Sequence, residues 1–167
     1  SNQLVTLTSP HIGNVGCNKE DMESSTIHLS GLIVKNLSKF FSNHRSEESL
    51  SNFLLRNKVT GISDIDTRKL TLHLRKNGSK NGVIFSFKNK KISEVREEAL
   101  KILNSFKGIL GSKLAMNTST KIDYTFRENE EKNLNFDDNK TPLIIVYDLG
   151  IKKNILKILD KFKCRII

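Results

Sequence analysis

At 167 residues the chain can hold one ordinary domain, or one domain and part of another. Its 37% apolar and 28% charged residues exclude a mainly disordered chain, and no apolar run approaches the roughly 18–20 residues of a membrane-spanning helix. The net charge of +10 raises nucleic-acid binding, yet it comes from 21 Lys against only 7 Arg, in a chain crowded with Asn and Ile as under AT-rich codon usage.

In chain order, Leu4–Thr8 reads as a strand stopped by Pro10, and His11–Gly16 as a glycine-rich loop. An acidic patch, Glu20-Asp21-Met-Glu23, precedes a second expected strand, Ile27–Val34. Ser46 is the expected N-cap of a helix with Glu47 and Glu48 in its first turn and Leu50, Phe53 and Leu54 on one stripe. A short strand, Val59–Ser63, leads to Asp66, the expected N-cap of a helix that carries Leu70, His73 and Leu74 and ends at Asn77-Gly78. Val83–Phe87 alternates as a strand. Ser93 is placed to cap a helix reaching Phe106 with Val95, Ala99, Ile102 and Leu103 inward. Strands and helices mixed in this irregular order give an α+β pattern.

From Met116 to Lys140 the composition turns to Asn, Lys, Glu and Asp, with Ile122–Phe126 as the one strand candidate and 128–141 as a linker. Beyond Pro142, Leu143–Tyr147 is a continuous apolar strand of the kind buried on both faces of a parallel sheet. Asp148-Leu-Gly150 is the turn into a helix over Ile151–Lys163, with Ile151, Ile155, Ile158, Leu159 and Phe162 inward, and Cys164–Ile167 starts another strand. Two strands and one helix leave apolar faces in water, so the domain is expected to continue past Ile167.

Cys17 and Cys164 stand far apart without C-x-x-C or paired His spacing, which argues against a disulfide framework or a structural zinc site. Neither sits on a strand-to-helix elbow, so both are expected to be small packed side chains. The start has no Met and no signal-peptide pattern; a missing N-terminal portion and a cytoplasmic location are expected. His11, between Pro10 and the glycine-rich loop, is expected to bond to backbone, and His73 to pack. Asp64, Asp66 and Arg68 suggest a cap with a salt bridge. Gly150 alone is too little for a phosphate-cradling turn.

Five blocks in one order carry a resemblance. They are Gln3-Leu-Val-Thr-Leu-Thr8 with Pro10-His-Ile-Gly-Asn-Val-Gly16; Glu20-Asp21 with Glu23-Ser24; Ser63-Asp-Ile-Asp-Thr-Arg-Lys-Leu70 with Leu74-Arg75 and Gly78; Asn81-Gly82; and Tyr147-Asp-Leu-Gly-Ile-Lys-Lys-Asn154. Together they resemble the small subunit of carbamoyl-phosphate synthase, with Leu149 standing where that family usually carries an aromatic residue.

The resemblance implies a swivelling β/β/α domain over 1–127, a linker over 128–141, and the first β-α-β of a flavodoxin-like class I glutaminase domain over 142–167. It further implies glutamine hydrolysis by a Cys-His-Glu set beyond residue 167. The ammonia would pass to a large subunit that uses ATP and Mg to make carbamoyl phosphate for arginine and pyrimidine synthesis. No catalytic, glutamine-binding or metal residue is expected in this chain. His11, Asp64, Asp66 and Arg68 remain as a structural or subunit-interface motif. From a different class, a basic nucleic-acid-binding module is the alternative, with a steep salt dependence as its signature.

Overall fold

The computed structural model describes residues 2–128, 130–132 and 141–167. Helix and sheet are mixed, and the chain clusters into two compact units, Ser1–Glu20 with Ile27–Ser112 and Asp21–Thr26 with Lys113–Ile167.

The first unit contains, in order, β1 (Leu4–Thr6), β2 (His11–Ile12), β3 (Gly31–Ile33), β4 (Asn36–Leu37), α1 (Leu50–Arg56), β5 (Thr60–Ile62), α2 (Thr67–Asn77) and α3 (Ile92–Ser105). β1, β3 and β5 form a parallel sheet with β3 central, Leu4 opposite Gly31 and Gly31 opposite Thr60. β2 and β4 pair separately, also in parallel. Leu32, Val34 and Leu54 are buried, with Val5, Leu7, Ile12, Leu37 and Leu50 packed around them. This is the one-sided burial expected of a small sheet covered by a helix.

Several expectations are corrected here. Of Ile27–Val34, only Gly31–Ile33 is ladder-paired. The N-cap of α1 is Ser49, whose hydroxyl accepts the Asn52 N–H at 3.2 Å, and not Ser46. The reason is tertiary: Glu47 N–H donates to the Cys17 carbonyl (2.9 Å) and Cys17 N–H to the Glu48 carbonyl (2.8 Å), so this backbone is bridged before the helix can start. Gly16 lies beside the bridge with φ 65°, and a Cβ there would fall 1.8 Å from Ser46 Oγ.

Val83–Phe87 is not a strand; Ile84 instead lays its side chain against Gly31, where a Cβ would come within 2.9 Å of Cδ1. α3 begins one residue before the expected cap Ser93, and the Glu94 carboxylate accepts the Lys91 N–H at 3.3 Å. No residue of α3 is fully buried, and Ile102, expected inward, is exposed. His73 is exposed as well, with Asn77 Nδ2 beside its ring.

The second unit holds α4 (Leu114–Thr118), β6 (Thr125–Arg127), β7 (Glu130–Lys132), β8 (Leu143–Ile144), α5 (Lys153–Lys161) and β9 (Arg165–Ile166). Its sheet has the order β7-β6-β9-β8. β8 and β9 are parallel, as a β-α-β unit requires, whereas β6 runs antiparallel to both β9 and β7. Phe126, Leu156 and Ile166 form the buried core, with Tyr124, Val146, Ile151 and Leu159 against it. The linker reading fails at Glu130–Lys132, which is a strand; its stretch 133–140 lies outside the described residues.

The expected inward stripe of α5 is also corrected. Leu156 is buried, while Ile155, Ile158 and Phe162 are exposed. The apolar residues fall on one stripe of this helix, and the described sheet covers only part of that stripe: Leu156 is buried, with Ile151 and Leu159 packed on the same core. Leu143–Tyr147 alternates as well: Ile144 and Val146 are half-buried, and Leu143, Ile145 and Tyr147 are exposed. Within the described residues the strand is therefore covered on one face, not on both.

Candidate functional site

Three parallel strands end together in the first unit, and the segments leaving them border an open cleft of about 710 Å³. Thr8 and Pro10 follow β1, Lys35 and Asn36 follow β3, and Asp64–Arg68 follow β5. The carboxyl edge of parallel strands is where α/β sheets leave room for ligands and partners, because the chain there turns away into loops and helix starts.

Asp64 makes the sharp exit from β5. Its φ is 64°, a conformation that Asp tolerates better than most residues because its short side chain bonds locally. Ser63 Oγ donates to Asp64 Oδ2 at 2.9 Å, and the Asp64 N–H donates to the Lys35 carbonyl at 2.8 Å, tying the exit of β5 to that of β3. Asp66 then caps α2 as expected, its Oδ1 accepting the Lys69 N–H at 2.9 Å. Thr67, the first helical residue, is only 1% exposed. It anchors this corner of the cleft.

The structure thus brings Asp64, Asp66 and Arg68 to one cleft. The cap is present, but no ion pair to Arg68 forms among the described residues. The guanidinium is exposed, and the expected cap-and-salt-bridge arrangement reduces to the cap. His11 does not line the cleft; it is exposed in β2, next to Pro10 and in register with Asn36, which does line it.

The turn between β8 and α5 is the second place to look for chemistry, since a glycine and a helix start can cradle an anion. Here the protein uses those donors itself. Asp148 Oδ1 accepts the N–H of Gly150 (2.8 Å) and of Ile151 (2.9 Å), and Oδ2 accepts the Tyr124 hydroxyl (2.7 Å). Gly150 has φ 108° and packs on Thr118, where a Cβ would meet the Thr118 Cβ at 3.1 Å. Burial works to raise the Asp148 carboxyl, but the three donors outweigh it and hold the group below its ordinary range. Burial and the neighbouring Asp148 push the Tyr124 phenol in the opposite direction, upward. These features describe a closed structural turn.

Cys17 is not activated by its setting. Burial, then the Glu48 charge, pushes the Cys17 thiol up, away from the thiolate that a nucleophile needs, although Arg56 opposes this. Cys164 is half-buried, with its thiol near the Phe162 carbonyl (3.6 Å). Among the described residues no three His, Cys, Asp or Glu side chains are placed to hold a metal ion, and no helix is long and apolar enough to cross a membrane.

Sequence reasoning overlooked Glu23 and Tyr124. Glu23 was legible only as part of an acidic patch. Tyr124 carried no signal beyond its place in a short strand candidate.

A family model described as carbamoyl-phosphate synthase small chain, CPSase domain, matches residues 1–84. Among curated relatives, the carbamoyl phosphate synthase small chain of Buchnera aphidicola subsp. Baizongia pistaciae is 45% identical, over 98% of this chain and 42% of its own length. The protein of the same name from Buchnera aphidicola subsp. Schizaphis graminum is 46% identical over 98% of this chain and 43% of its own length. That of Vibrio parahaemolyticus is 42% identical over 99% and 44%. The chain therefore spans less than half the length of the relatives it matches.

Proposed function

The chain belongs to the carbamoyl-phosphate synthase small-chain family, and we propose that in its full-length form it is the glutamine-hydrolysing subunit of that enzyme. The observation that carries the reading is identity of 45% over an aligned stretch that takes in 98% of the chain. The first unit is then the swivelling docking domain, and 142–167 the opening of a flavodoxin-like glutaminase domain.

Under this reading the chemistry is supplied by a cysteine, histidine and glutamate that follow Ile167 in the complete protein. The thiolate attacks the side-chain amide carbon of glutamine, ammonia leaves, and water hydrolyses the thioester to glutamate. Ammonia passes to a large subunit, where ATP and Mg are bound and carbamoyl phosphate is formed in the cytoplasm for arginine and pyrimidine synthesis. The residues described here contribute the docking domain and none of the reacting groups. The cleft bordered by Asp64, Asp66 and Arg68, with His11 on the adjoining strand, is the surface we assign to subunit contact. The Arg68 guanidinium, which forms no ion pair among the described residues, is placed to meet a carboxylate on the large subunit.

The test is reconstitution of the full-length protein with its large subunit, with glutamine or ammonium as nitrogen source. Glutamine-dependent synthesis that requires the small chain is the expected result. Synthesis from ammonium alone, with none from glutamine, would overturn the proposal. Separately, Arg68→Ala should weaken assembly of the pair; unchanged assembly would remove the interface role and leave the glutaminase reading in place.

A further inference from the structure

Helix α5 begins against the usual rules of capping. Its N-cap residue is Lys152, which makes no side-chain cap hydrogen bond; Lys153 follows, and the first turn contains no acid. First-turn N–H groups have no carbonyl four residues back, and two cations at the positive end of a helix dipole are unfavourable.

The missing acceptors come from a distant part of the sequence. The Glu23 carbonyl accepts the Lys153 N–H at 3.0 Å, and Glu23 Oε2 accepts the Asn154 N–H at 3.0 Å, across a separation of 131 residues. Asp21–Thr26 belongs to the second unit, although the residues on both sides of it in sequence belong to the first. With Gly150 and Ile151 already bonded to Asp148, the donors at Gly150, Ile151, Lys153 and Asn154 are all taken by two carboxylate residues and one backbone carbonyl.

We infer that Glu23 is the remote N-cap of α5, and that Asp21–Thr26 is a strap on which the second unit depends to hold its helix. The strap supplies both an acceptor for each open donor and the negative charge that Lys152 and Lys153 make necessary. An acid placed locally at residue 152 should then make Glu23 redundant. A generic packing role for the loop would not give that result.

Hydrogen exchange of the full-length protein, followed at the amides of α5 and of α2, tests this. Glu23→Ala keeps the carbonyl that accepts the Lys153 N–H, and should speed exchange at Asn154 and the following turn about tenfold, the factor equivalent to ~1.4 kcal/mol, with α2 unchanged. Glu23→Gln, which keeps an acceptor without the charge, should fall between. Lys152→Asp added to Glu23→Ala should restore the protection. The inference is overturned if Glu23→Ala leaves α5 exchange as in the wild type, or if Lys152→Asp brings no recovery. Should Glu23→Ala disturb α2 as well, Glu23→Gln is compared with and without Lys152→Asp. Recovery in that pair supports the cap, and its absence refutes it.

Discussion

Replacing Asp148 by alanine removes three hydrogen bonds at once: two from backbone N–H groups at 2.8 and 2.9 Å and one from the Tyr124 hydroxyl at 2.7 Å. A bond to a charged acceptor contributes about 1.5–3 kcal/mol where water is excluded. This carboxylate is only half-buried, so water can take over part of the lost bonding. A total loss of roughly 2–3 kcal/mol results, after that discount. The cost should fall on the second unit, because donor and acceptor residues all lie within it. Hydrogen exchange of peptides from α5 and β9 in the full-length protein measures it. Exchange should accelerate by about 30- to 150-fold, or protection should vanish if the unit is less stable than that. Asp148→Asn retains one carbonyl oxygen for the two backbone donors and should lose much less. Acceleration below about threefold in the alanine variant would refute the reasoning, since the web would then contribute under 1 kcal/mol.

Acidification should weaken the same web. The folded Asp148 carboxyl titrates below its ordinary value of 3.8, so its contribution is complete above that value and is lost as the pH falls through the folded one. Near-ultraviolet circular dichroism of the 167-residue chain can follow this, because Tyr124 and Tyr147 are its only tyrosines and both lie in the second unit; a wild-type transition shared unchanged by Asp148→Asn would contradict it. Phe126→Ala, at a residue 1% exposed, should cost about 3–5 kcal/mol and open the second unit, whereas Leu54→Ala should cost about 2–5 kcal/mol and open the first. Exchange measured unit by unit separates the two, and a reversed pattern would break the assignment of the cores. Asp66→Ala should destabilise α2 by about 1 kcal/mol, detected as faster exchange of its first-turn amides. Gly16→Ala should disturb the Cys17–Glu48 bridge, and adding Ser46→Ala should recover only part of the loss because the positive φ remains; thermal melts of the three proteins decide it.

Much of the local structure was legible. Asp66 and Gly78 bracket α2 because a side-chain acceptor and a glycine at φ 75° act within one turn of the helix they end. The β8–α5–β9 unit was legible too, from an apolar run, a turn and an amphipathic stretch. The errors share another character. Ser46 has the chemistry of a cap, yet the Cys17 bridge claims its neighbours. Val83–Phe87 alternates like a strand but finds no ladder partner, and polar Glu130–Lys132 becomes a strand because β6 offers it one. Of the candidate site, Asp64, Asp66 and Arg68 were legible as a motif, but their common cleft depends on the exits of β1 and β3, which lie far away in sequence.

By itself, the sequence determined the family, the existence of α1, α2, α3 and α5, and the Asp66 cap, because these depend on residue types within a few positions of one another. Tertiary structure alone decided how much of the α5 stripe is covered, which strands pair, and how a helix that opens on two lysines is capped. Hydrogen-bond donors at strand edges and helix starts accept whichever partner the fold brings near. For α5 that partner is Glu23, 131 residues from the amide it caps.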